Sequence, residues 1–149
     1  MMKRLVTTWA LLVVLFGLAG VAEAVRPAAK DFISISVPDT LELGMATHPG
    51  MHESAGAVTV AVEANCPHGP IFISTTKLRR RAGGLIPPDR IAVRTPATGG
   101  FVSMAKPVAI SKPEKGPHKI VLDFRVQTGF EDPAGRYVGT ITFTVVPPS

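Results

Sequence analysis

The sequence predicts an all-β protein: an antiparallel sandwich of about seven or eight short strands, placed after an export signal. Three observations predict it. Apolar and polar side chains alternate with period two in four separate segments, the periodicity of an extended chain with one dry and one wet face. Gly and Pro, 14 of each in 149 residues, punctuate the chain at short intervals. Beyond the N-terminal segment, no window of a dozen residues keeps helical periodicity free of them. The apolar share, 46% against 18% charged, is too high for a disordered chain and sufficient for one core.

The chain opens on Met1-Met2-Lys3-Arg4, a local positive charge. Residues 5–21 are apolar apart from Thr7 and Thr8, and Ala22-Glu23-Ala24 sets small residues at the two positions a signal peptidase reads. That order predicts a cleavable signal over residues 1–24 and one folded domain over residues 25–149, in the periplasm or outside the cell. An uncleaved anchor is the alternative, because an apolar run of about 17 residues approaches the minimum membrane span. No stop-transfer charges follow it. Cys66 is the single cysteine, which excludes an intramolecular disulfide framework.

The strands follow in order. In residues 32–37, Ile33, Ile35 and Val37 share one face and the serines the other, and Pro38-Asp39 ends the run. Val58, Val60, Val62 and Ala64 share a parity, opposed by Thr59, Ala61 and Glu63. Ile120, Leu122, Phe124 and Val126 alternate with Val121, Asp123, Arg125 and Gln127. In residues 138–145, Ile141, Phe143 and Val145 stand against a row of threonines. Residues 71–75, 91–94, 101–104 and 108–110 are weaker strand candidates. Sheets with one oily face each hide it against one another. Seven or eight strands in a domain of this size is the count of an immunoglobulin-like sandwich.

Residues 131–145, Glu131-Asp132-Pro133-Ala134-Gly135-Arg136-Tyr137 running into Val138-Gly139-Thr140-Ile141-Thr142-Phe143-Thr144-Val145, resemble the end of secreted bacterial immunoglobulin-like and pilin-like sandwich domains. The resemblance implies a structural corner, in which Gly135 permits the tight turn and Tyr137 folds its hydroxyl back onto the preceding loop. It also implies a structural or adhesive subunit of the bacterial envelope or surface, with other envelope proteins as partners. Antibody domains carry a core Trp and a Cys after the Tyr; this segment has neither.

Three groups of residues could carry chemistry. Met45, His48, Met51 and His52 put two thioethers and two imidazoles in a loop containing Gly and Pro. Soft sulfur with imidazole suits copper, so a periplasmic copper-binding protein is the second reading. Met side chains serving as pliable cover are the structural alternative. Cys66 and His68 stand two apart, but Cys66 shares the parity of the Val58 strand, which predicts a buried, inert thiol. Lys77, Arg79, Arg80 and Arg81 form a basic cluster that can attract anionic glycans, within a chain of net charge +5. Nucleic acid is a poor partner for an exported chain without interleaved aromatic residues. No metalloprotease, nucleophile-elbow or phosphate-loop motif is present, so the sequence points to a non-catalytic protein with no required cofactor.

Overall fold

The computed structural model describes residues 29–41 and 46–147. The expected signal, residues 1–24, lies outside the described residues. Every strand pairing is antiparallel, and among the described residues no helix is long and apolar enough to cross a membrane.

The first layer grows from the strongest alternation. Strand β11 (His118–Thr128) buries Ile120, Leu122, Phe124 and Val126 and turns Val121 and Gln127 to water. It lies between β2 (Gly50–Ala64) and β7 (Ile91–Arg94). With β1 (Ile33–Ser36) outside β2 and β8 (Val102–Ser103) outside β7, the sheet order is β1-β2-β11-β7-β8. The β2–β11 register shifts between Leu122, opposite Val58, and Phe124, opposite Ser54. Two extra residues of β2 bulge out there, and Gly56 makes the bend at φ +60. The Asp123 carboxylate accepts the exposed Gly56 N–H at 2.7 Å.

The second layer carries β4 (Ile71–Thr75) between β9 (Val108–Ala109) and β13 (Ile141–Val145), and β5 (Leu78–Arg80) between β6 (Leu85–Ile86) and β12 (Tyr137–Val138). These ladders are two halves of one bent sheet. The Thr76 N–H donates to the Thr140 carbonyl, and the Thr140 N–H donates to Thr76 Oγ1, both at 2.9 Å. Gly139 lies at the bend, where an added Cβ would stand 2.5 Å from Leu78 Cδ2 and would require that side chain to shift. A short separate pair joins β3 (Pro67–His68) to β10 (Glu114–Lys115).

The core lies between the layers. Val60, Val62, Val93, Leu122 and Phe124 from the first layer meet Ile71, Ile73 and Ile86 from the second, all essentially excluded from solvent. The protein is an all-β sandwich, as the alternation predicts. Its strands are more numerous than the expected seven or eight, thirteen segments among the described residues, because β3, β5, β6 and β10 add short pairings in runs where no strand was expected and the run 137–145 breaks into β12 and β13. Within the basic cluster, which follows β4, Leu78, Arg79 and Arg80 themselves form β5, held by β6 and β12.

Candidate functional site

The two layers are unequally closed. On β4, Ile71 and Ile73 are fully buried, whereas on neighbouring β13 the inward Ile141, Phe143 and Val145 are only half-buried. Inward residues of β1 in the opposite layer are half-buried too. Beside these strands opens a cavity of about 570 Å³, bordered by residues 37–41 after β1 and by Tyr137, Ile141 and Phe143. Val58, Leu78, Ile86 and Val126 also line it. The groove is thus continuous with the core.

Backbone polarity on β13 points the same way. The Val146 N–H donates to the Pro70 carbonyl at 3.2 Å, and the Thr76 N–H to the Thr140 carbonyl at 2.9 Å. The register joins 141 with 75 and 145 with 71. Even-numbered residues therefore make the ladder bonds to β4. By antiparallel alternation, the N–H and C=O groups of Ile141, Phe143 and Val145 face the opposite edge. Among the described residues no strand pairs with that edge. Backbone donors and acceptors, half-buried apolar side chains and a groove of mixed apolar and polar lining converge on one flank.

One wall of the groove is fixed by a corner. The Tyr137 hydroxyl donates to the Pro133 carbonyl at 2.8 Å. Gly135 exchanges backbone bonds with Ala46, donating at 2.9 Å and accepting at 3.3 Å. Its φ of +148 suits glycine, and an added Cβ would lie 2.8 Å from Arg80 Cδ. Arg80 runs through that space to donate from Nε to the Gly83 carbonyl at 2.7 Å and from Nη1 to the Ala134 carbonyl at 3.1 Å. It ties the turn after β5 to the loop before β12.

The loop is anchored again by Arg90, which donates to both oxygens of Asp132, at 2.5 and 3.1 Å. These bonds, aided by the Gly129 N–H, hold the Asp132 carboxyl below its ordinary range against the opposing effect of burial. On the outer face of the first layer, the Gly56 N–H and then Arg94 depress Asp123 in the same way. Glu53 bridges Arg94 and Arg125 at 3.2 and 3.1 Å, and both guanidinium groups lie over the Phe101 ring. These charges neutralise one another and brace the sheet.

The expected copper residues are only partly gathered. Met45 lies outside the described residues. His48 and His52 have ring centroids 4.9 Å apart. His52 Nε2 stands 2.9 Å from the His48 carbonyl oxygen, so it carries the hydrogen, and 3.0 Å from Thr128 Oγ1. Met51 and His52 are successive residues of β2 rather than loop residues, so they point to opposite faces, and Met51 is exposed. Among the described residues no group of three or more His, Cys, Asp or Glu is placed to hold a metal ion.

Cys66 is buried, its thiol 3.8 Å from the Phe32 carbonyl. Next to it, His68 and His118 stack with centroids 5.3 Å apart. Each Nδ1 donates to a backbone carbonyl, Gly69 at 2.7 Å and Gly116 at 3.1 Å. Both Nε2 atoms are buried without a hydrogen bond; that of His118 is 3.5 Å from the Glu114 carboxylate, outside bonding geometry. In the basic cluster, Lys77, Arg79 and Arg81 are exposed while Arg80 turns inward.

Of the groove's lining, the sequence singles out only His52 and Tyr137 as site residues, and neither as part of a groove. Leu78, hidden between two cations, was its one local clue: an apolar residue in phase with Arg80 and out of phase with Lys77 and Arg79. Comparisons with family models, with curated proteins and with solved structures return no match to this chain.

Proposed function

We propose that the chain is an exported, non-catalytic subunit of the bacterial envelope or surface, pilin-like in that it assembles by taking an extended segment of a neighbouring copy along β13. The observation that carries this reading is the coincidence of a β13 edge, paired by no described strand, with half-buried Ile141, Phe143 and Val145 beside the groove. An added strand bonds to the outward N–H and C=O groups of those three residues, and its alternate side chains enter the groove. Backbone pairing supplies affinity and the side-chain pockets supply selectivity.

The test is sedimentation velocity over a concentration series, on the mature chain and on two variants. Val145→Pro removes an outward N–H that β4 does not use, a substitution that an edge strand tolerates. Phe143→Lys sets a charge at the groove mouth. The wild-type chain is expected to form larger species as concentration rises, and both folded variants to remain monomeric. A wild-type chain that stays monomeric throughout, or variants that assemble as it does, overturns the reading.

A further inference from the structure

We infer that the outer face of β5 and β12 is a binding site for an anionic polysaccharide, with Lys77, Arg79 and Arg81 as its cationic row. It does not depend on strand addition at β13.

The first support is a charge asymmetry between the two layers. On the first layer, Arg94 and Arg125 are neutralised by Glu53 and Asp123. Arg90 is likewise held by Asp132. The strands of the bent second sheet, β4, β5, β6, β9, β12 and β13, contain no Asp or Glu at all. Among the described residues Lys77, Arg79 and Arg81 have no carboxylate within ion-pairing distance. Three neighbouring cations on strands without Asp or Glu leave a positive potential that no ion pair among the described residues offsets.

The second support is shape. Lys77 and Arg79 stand two residues apart, roughly 7 Å along an extended chain, and so project from the same side. With Thr76, Val138, Gly139 and Thr140 they line a shallow depression where the sheet bends. Val138, Gly139 and Thr140 are exposed there. Arg81 extends the row into the turn after β5. Arg80, spent on the Gly83 and Ala134 carbonyls, is not part of it.

The ligand chemistry follows. A single small anion reaches one of these cations, whereas a polymer bearing carboxylates or sulfates on successive units spans the row. The threonine hydroxyls suit sugar hydroxyls. No exposed aromatic ring stands on these strands to stack a base. The apolar residues flanking Arg79 across the sheet, Val138 and Leu85, are too small and too few to anchor the face in a bilayer.

The experiment is calorimetric titration of the mature chain with polygalacturonate and with heparin at physiological salt, beside phosphatidylglycerol vesicles. The variant Lys77→Ala/Arg79→Ala/Arg81→Ala is compared with Lys106→Ala/Lys112→Ala/Lys119→Ala, which removes the same charge from exposed positions elsewhere. The first variant is expected to lose glycan affinity by about tenfold or more, the worth of one charge-assisted hydrogen bond. The second is expected to lose far less, because charges beyond about 8 Å are screened at that salt. Val145→Pro should bind glycan as the wild-type chain does, whatever its effect on assembly. Equal losses in the two triple variants, no glycan binding by the wild type, or row-dependent binding confined to the vesicles overturns the inference.

Discussion

The Tyr137 hydroxyl reaches back four residues to the Pro133 carbonyl, 2.8 Å away, and closes the loop before β12 into a corner. The same hydroxyl leaves no room for a side chain at Gly84, where an added Cβ would lie 2.9 Å from it and where φ is +114. Tyr137→Phe removes one hydrogen bond and is expected to lower stability by about 1 kcal/mol. Gly84→Ala adds steric conflict to an unfavourable backbone angle and is expected to cost more. Denaturant midpoints measure both. A Tyr137→Phe chain that melts with the wild type removes the corner from the account.

Asp132 gives the fold an acid-sensitive latch. Arg90 holds its carboxyl below the ordinary range, so the folded state binds that proton less readily than the unfolded chain. The stabilisation is fully present above the unfolded carboxyl value, about pH 4, and is lost as pH falls through the depressed folded value. Asp132→Asn should lower the melting temperature at neutral pH and flatten the fall in stability below about pH 4. An acid limb as steep as that of the wild type assigns the sensitivity to other carboxylates.

Core and groove should respond differently to the same truncation. Phe124 is 1% exposed between the layers, and Phe124→Ala is expected to cost about 3–5 kcal/mol. Phe143 already borders open space, so Phe143→Ala leaves no sealed cavity and should cost about half as much. Chemical denaturation in dilute, monomeric conditions makes the comparison. Equal losses would mean that the groove is closed in solution.

Cys66 is 6% exposed on the buried parity of β2. Native protein should therefore react with a thiol reagent only at the rate at which it opens, and reaction should become immediate in denaturant. Fast labelling of the folded chain would place the thiol at the surface.

What the sequence makes legible follows where water is. Ile120, Leu122, Phe124 and Val126 face a dry interior while Val121 and Gln127 face solvent, so the period of two is written into β11. Residues 71–75 and 91–94 likewise match β4 and β7 to the residue. The first half of β2 is not legible, because Gly50, Gly56 and the bulge interrupt its alternation. β5 is hidden for another reason: Arg80 occupies an inward position, which its stem and two backbone carbonyls make acceptable, and Leu78-Arg79-Arg80 then reads as a charge cluster. Of the candidate sites, the Tyr137 corner and the exposed cations are local and readable. The groove is not. Whether Ile141, Phe143 and Val145 lie under a neighbouring strand or at an edge is decided by topology, and the alternation is the same in both cases.

The amides of β13 test the central claim most directly. Hydrogen exchange, followed residue by residue by NMR, should find Thr142 and Thr144 protected in the dilute chain and Ile141, Phe143 and Val145 open to solvent. Under assembling conditions the three odd-numbered amides should become protected as well. Odd-numbered amides already protected in the monomer, or still exchanging freely in the assembly, would contradict strand addition at this edge.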